Sequence, residues 1–129
     1  MPKLSSQEII DLAVNKYFKS VDEKNIVGIL NSMNDDIQFK IITHNIIKNG
    51  KKEVEDMMIQ LFKDHKKIWH GNFTHTIDIH YQKIASTFTV KNTEHNDSIA
   101  TKYNCNFFEI TNGKFSSITV YMQGDNTLN

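Results

Sequence analysis

The alternation of apolar and polar positions splits the chain into an early helical part and a late strand-rich part. Ile9, Ala13 and Tyr17 recur every four residues after Ser5 and Ser6, and Ile10, Val14, Phe18 and Val21 form the adjoining row. This pattern predicts an amphipathic helix with a serine cap, ending near Val21. Asp22-Glu23-Lys24-Asn25 interrupts it. Ile26, Ile29, Leu30 and Met33 then predict a shorter helix in which Gly28 weakens the isolated segment but permits close approach to a neighbour. Asn34-Asp35-Asp36 reads as a turn. Ile37, Phe39 and Ile41 alternate as an inward-facing first strand, with Thr43 next on that face, and Ile46 and Ile47 suggest a short strand before Asn49-Gly50. Val54, Met57, Met58, Leu61 and Phe62 predict a third helix from Lys52 to about Lys66.

From about Phe73 to Met122 the period is that of strands. Phe73, His75, Ile77, Ile79 and Tyr81 share one face, and Thr74, Thr76, Asp78 and His80 the other. Gln82-Lys83 reads as a turn, residues 85–90 as the returning strand, residues 92–97 as a polar loop, and a third long strand reaches Ile110. Asn112-Gly113 is the strongest hairpin signal in the chain. A two-residue loop there sets Ile118 opposite Phe107, whereas a three-residue loop with a bulge sets it opposite Asn106. The second is preferred, because it turns Phe108 and Ile110 inward and Glu109 outward. Residues 123–129 are expected to fray. Helices and strands segregate along the chain, so the fold class is α+β: three N-terminal helices over a strongly twisted, mainly antiparallel sheet.

The 129 residues suit one domain, with residues 5–122 as its ordered core. Fifteen basic and fifteen acidic side chains cancel, which gives no electrostatic reason to seek nucleic acid or an anionic membrane. The local run Lys63 to Lys67 reads as cations at a helix end. No apolar run approaches the roughly 18 residues of a membrane span, and a cytoplasmic location is expected. Cys105, the one cysteine, leaves no internal disulfide and reads as a buried thiol. His70, His75 and His80 are five apart, which on an uninterrupted strand puts neighbours on opposite faces. With no carboxylate or cysteine completing a ligand set, no metal site is expected.

Three passages carry a resemblance: residues 15–41 (NKYFKSVDEKNIVGILNSMNDDIQFKI), 49–58 (NGKKEVEDMM) and 107–122 (FFEITNGKFSSITVYM). In this order and spacing the chain resembles the SnoaL-like and ketosteroid-isomerase-like members of the nuclear transport factor 2-like superfamily, which implies a conical α+β barrel and a pocket between helices and sheet. The resemblance implies a helix tyrosine at Tyr17, a base position at Ile41 and a hydrogen-bonding acid position at Asn106. Isoleucine takes no proton, so the resemblance does not carry steroid isomerisation by that mechanism.

The expected site therefore draws on other groups. His75, on an apolar strand face, is the best-placed titratable side chain, His44 is the alternative base, and Tyr17 and Asn106 are the hydrogen-bond donors. Phe39, Ile41, Thr43, Trp69 and Phe108 are expected ligand contacts. The leading expectation is a cofactor-free isomerase or dehydratase-like enzyme acting on a small apolar or mixed-polarity ligand. The alternatives are a non-catalytic binding module, favoured by the missing carboxylate base, and a purely dimeric scaffold. An outer sheet face carrying Tyr103, Cys105 and Phe107 suggests a homodimer.

Overall fold

The computed structural model describes residues 2–128. Ser5 opens the first helix with a capping box. Its Oγ accepts from the Glu8 N–H at 3.2 Å, and its own N–H donates to Glu8 Oε1 at 2.9 Å. Three abutting segments, Ser6–Ile10, Asp11–Phe18 and Lys19–Asp22, continue as one helix, α1. The middle segment has wide π-type turns, which bring residues five apart onto one face. Leu12 with Tyr17 and Ala13 with Phe18 are buried as pairs, while Val14, expected in the apolar row, is only half-buried.

The chain breaks where the charged tetrad predicts. Asn25 then caps α2 (Ile26–Asn31), accepting from the Gly28 N–H at 3.0 Å. Strand β1 (Met33–Ile41) absorbs Asn34, Asp35 and Asp36 instead of following them as a turn, and its ladder slips between Met33 and Gln38 to accommodate them. A single 3₁₀ turn, Ile42–His44, leads into β2 (Ile46–Asn49) and then α3 (Gly50–Asp64). Strands β3 (Lys67–Asp78), β4 (Lys83–Thr93), β5 (Ile99–Thr111) and β6 (Lys114–Tyr121) complete the fold.

All six strands form one sheet in the order β2-β1-β6-β5-β4-β3, parallel at β1–β6 and antiparallel elsewhere. The sheet curves around the helices but does not close, so the expected cone is an open trough with β2 and β3 as its edges. Its inner face supplies Ile37, Phe39, Ile41, Ile84, Phe108 and Ile118 to the core, and α1 and α3 supply Ile9, Phe18, Val54 and Met57. Lys24 Nζ donates to the carbonyls of Phe62 and His65 at 2.8 and 2.6 Å, tying the end of α1 to the end of α3.

Two bulges decide which side chains face inward. The Asn112-Gly113 loop has two residues, both at positive φ, closing Thr111 on Lys114. An extra residue then enters β6 between Phe115 and Ser117, so Ile118 lies opposite Phe108 and Asn106 opposite Val120. The expected facing of Asn106, Phe108 and Ile110 therefore stands, but Ile118 lies opposite Phe108 and not Asn106, and the facing comes from a bulge in the ladder and not from a longer loop. The other bulge lies in β3, where pairing passes from Gly71–Thr89 to Thr74–Thr87 and Asn72 takes φ 54°. One inserted residue reverses the alternation. Ile68 and His70 face the helices before it, and Phe73, His75 and Ile77 after it. Ile79 and Tyr81, expected on the inner face, are exposed beyond the end of β3.

Residues 123–128 do not fray. The Gln123 N–H donates to Asn104 Oδ1 at 3.0 Å, the Tyr103 N–H donates to Gln123 Oε1 at 2.9 Å, and Leu128 packs against the core.

Gly28 meets the tightest requirement of the helical layer. A Cβ there would lie 2.3 Å from Ser20 Oγ and 3.1 Å from Ser20 Cβ. Propensity alone would make Gly28→Ala stabilising; overpacking against Ser20 reverses the sign. Gly28→Ala is expected to cost about 1–3 kcal/mol in urea denaturation, with part of the loss recovered when Ser20→Ala is added. A stabilised single variant would show that α2 and α1 are not in this contact.

Candidate functional site

A cavity lies under α1, between it and the inner face of the sheet. Tyr17, Phe18, Phe39, Met58, Phe88 and Leu128 supply most of its apolar wall, and His70, Asn92, Asn104 and Asn106 its polar groups. It encloses about 40 Å³. Each water needs roughly 10–15 Å³ of such space, so this partly open cavity has room for a few waters.

His70 is positioned by Asp22, the last residue of α1. Asp22 Oδ2 accepts from the His70 backbone N–H at 3.0 Å, and Oδ1 pairs with His70 Nδ1 at 2.5 Å. A carboxylate on Nδ1 makes that nitrogen the N–H of the neutral ring and leaves Nε2 bare. Among the described residues Nε2 has no hydrogen-bond partner, and the ring lines the cavity. Phe18 and Phe88 hold it in place, with ring centroids at 5.0 and 5.6 Å. The result is a basic nitrogen held in a mostly apolar chamber.

Tyr17 reaches the same chamber from α1. Its ring packs edge-on against Phe18, Phe108 and Phe115, and its hydroxyl makes no hydrogen bond within the described residues. Burial, aided by the nearby charge of Asp22, pushes its pKa above the ordinary phenol value. Tyr17 thus stays protonated and able to donate. Asn92 and Asn106 are almost wholly buried, and the Oδ1 of each has no partner. A buried acceptor left unpaired costs about 1–3 kcal/mol. Both residues line the cavity, and each Oδ1 is itself closed off from open space.

The expected residues separate into those the cavity gathers and those it leaves out. Tyr17, Phe39 and Asn106 line it. Phe108 stands behind the wall, against Tyr17 and Phe18, and Ile41 is fully buried in the core. His75 does not reach the cavity: its Nδ1 bonds Ser86 Oγ at 2.7 Å and its ring stacks on Phe73. His44 and Thr43 lie beyond β1 at the mouth. His44 bonds Thr43 Oγ1 at 2.8 Å and the Gly124 carbonyl at 2.8 Å. Trp69 is on the opposite face of the sheet, over Gly71, with Lys91 Nζ 5.6 Å from its ring. The bulge in β3 explains this exchange, since it separates Trp69 from the inner set and brings His70 into it.

Asp22 and His70 were missed by sequence reasoning. Asp22 sits in a charged tetrad that reads as a helix break. His70 falls outside the expected strand and, on unbroken alternation, opposite His75. The available signal was Gly71-Asn72 inside a β-prone run, a pair that favours a bulge. Among the described residues no three His, Cys, Asp or Glu side chains group as metal ligands, and no helix is long and apolar enough to cross a membrane.

No protein-family model matches the sequence, and no curated protein does. Solved structures do match in fold. A candidate polyketide cyclase from Xanthomonas campestris superposes with a TM-score of 0.79 at 14% identity, covering 89% of this chain and 90% of its own. TerC, co-crystallised with polyporic acid, gives 0.77 at 12% identity over 90% and 92%. A nuclear transport factor 2-like protein from Exiguobacterium gives 0.73 at 14% identity over 87% and 98%. The order of elements, the six-stranded curved sheet and its helical cover thus give this chain the nuclear transport factor 2-like fold, in the form also taken by the polyketide cyclase-like and ketosteroid isomerase-like proteins.

Proposed function

We propose that the protein is a cofactor-free acid–base enzyme for a small, flat, oxygenated ligand, with His70 as its base. The observation that carries this reading is the Asp22–His70 pair: Nδ1 sits on a carboxylate, Nε2 has no hydrogen-bond partner among the described residues, and the residue lines the cavity. His70 replaces His75 and His44 in the role expected from sequence. Nε2 takes a proton from carbon next to a ligand carbonyl, and the C–H electron pair moves onto the carbonyl oxygen. The Tyr17 hydroxyl donates to that oxygen as its charge grows. The imidazolium, stabilised by Asp22, then returns its proton to a different carbon, which is isomerisation, or to a departing β-hydroxyl, which is dehydration with loss of water. Asn92 and Asn106, on the cavity wall, offer amide N–H donors to ligand oxygens. The wall of aromatic rings suits a planar body, which enters only if a wall residue such as Leu128 moves aside, since the cavity as it stands has room for a few waters; polyporic acid, with which TerC was co-crystallised, is a first probe.

A second reading, a non-catalytic ligand-binding module, is favoured by the small volume of the cavity. Solvent-deuterium incorporation next to the carbonyl of hydroxylated aromatic ketones, followed by proton NMR, separates the two. His70→Gln and Asp22→Asn are each expected to slow incorporation by about 10²–10⁴-fold, with Tyr17→Phe intermediate. Exchange at the wild-type rate in His70→Gln removes the base assignment, and ligands that bind the wild type without exchange favour the module.

His75 supplies the control. Burial lowers its pKa, so as pH falls the unfolded chain takes up the proton before the folded one does. Stability is then full above about pH 6.5 and declines below it. His75→Gln should flatten that acid limb in denaturation curves at about pH 5 and about pH 8, and keep turnover within about twofold. Loss of turnover in this variant with the fold intact would return His75 to the mechanism.

The outer face of the sheet exposes Tyr103, Phe107 and Tyr121, the last two in edge contact at 5.6 Å. An apolar patch of this kind supports a homodimer through that face. Sedimentation at micromolar protein should find the dimer, and Phe107→Lys should dissociate it; a monomeric wild type counts against the interface.

A further inference from the structure

Resting on the pocket reading above, we propose that the C-terminal strap, residues 122–128, occupies the ligand site of its own chain, and that the ligand it stands in for is an amphipathic organic anion. In this arrangement Leu128 takes the place of the ligand's apolar body and the Asp125 carbonyl takes the place of a ligand oxyanion on Lys102.

The strap is built in rather than loosely laid down. The Met122 N–H donates to Thr43 Oγ1 at 3.2 Å, and the Thr43 hydroxyl pairs with His44 Nδ1 at 2.8 Å. His44 Nε2 therefore carries the proton that the Gly124 carbonyl accepts at 2.8 Å. Gln123 exchanges hydrogen bonds with Asn104 and Tyr103. Beyond these latches, Thr127 and Leu128 line the cavity itself. The volume available to a ligand is thus set by where Leu128 lies, and its withdrawal enlarges the chamber by a leucine side chain.

Lys102 gives the chemistry of what would replace it. On β5, Lys102, Asn104 and Asn106 are all buried on the inner face, the last two lining the cavity and Lys102 next along the strand. The Lys102 ammonium donates to the Asp125 backbone carbonyl, and among the described residues it pairs with no carboxylate within 4 Å. Burial lowers its pKa, partly offset by the charge of Asp125. A desolvated cation facing a neutral carbonyl is under-compensated. A carboxylate in the same place makes a charge-assisted bond about twice as strong. A ligand that carries an aromatic body into the place of Leu128 and a carboxylate to Lys102 therefore displaces the strap at its end and at its middle.

The test titrates the full chain with 1-naphthoate and with its neutral counterpart 1-naphthalenemethanol, by calorimetry and by amide NMR. Naphthoate is expected to bind at least about tenfold more tightly than the alcohol and to shift the Gly124 amide. Leu128→Ala, which empties the place without touching the latches, should tighten both probes by about tenfold. Lys102→Met, checked by its melting curve, should weaken naphthoate by about tenfold or more and leave the alcohol within about twofold, with Lys102→Arg restoring the preference. Equal affinities for both probes, or a Leu128→Ala variant that binds as the wild type does, overturn the proposal. These affinities are read without turnover, so they fail or stand independently of the deuterium exchange that tests His70.

Discussion

The junction between Asp22 and His70 is the constraint on which the rest of the architecture turns. The trough must be covered on its inner face, and α1 is the element that covers the end where the cavity lies. Its last residue grips an edge strand by backbone and ring together, while Phe18, four residues earlier, sits among the rings of His70, Phe73, Phe88 and Phe108. A hydrogen bond to a charged group contributes about 1.5–3 kcal/mol and each aromatic pair about 0.5–1.5 kcal/mol. The interaction that fastens the helix is also the one that orients the His70 imidazole. Holding the fold and preparing the chemistry are therefore one demand on the sequence.

Much of the architecture was legible because it rests on local periodicity. The Ser5 cap, the charged break at residues 22–25, the stripe of α3 and the Asn112-Gly113 turn all declare themselves within a few residues. The site did not, for a reason specific to sheets. A strand reports inward and outward by parity, and a single inserted residue inverts every assignment beyond it. Gly71-Asn72 makes that inversion in β3, so reading backwards from Phe73 and His75 sends His70 outward and Trp69 inward, the reverse of what the fold does. In β6 the bulge instead preserved the expected facing of Asn106, although by a different turn. The strap was misread for another reason: its sequence is polar, and its order comes from hydrogen bonds to residues about 20 and about 80 positions away, which no local pattern contains.

The chemistry departs from what the resemblance implied in an instructive direction. With isoleucine where a first-strand base is expected, the chain has no carboxylate on that wall, and Ile41 simply completes the core. The basic nitrogen enters from β3 instead, across the chamber, and the carboxylate stands behind it as orienter. Asn106 keeps a hydrogen-bonding function where an acid is expected but leaves its Oδ1 unpaired, as does Asn92. An amide in that position cannot lend a proton to an enolate and take it back. It can only recognise, through amide N–H groups that donate beside the Tyr17 hydroxyl, and the proposed proton movements then fall to His70.

Such a chamber is costly to keep empty. Two unpaired buried acceptors and a Lys102 ammonium answered by a backbone carbonyl lower the stability of the fold. A chain selected for stability alone would fill these positions with leucine and valine, as it does a few ångströms away at Val90 and Val120. The strap reduces the cost by supplying Leu128 to the apolar wall and a carbonyl to Lys102, yet it satisfies neither Asn92 nor Asn106. Coverage by the strap therefore leaves two buried acceptors unpaired, and their cost stays with the fold.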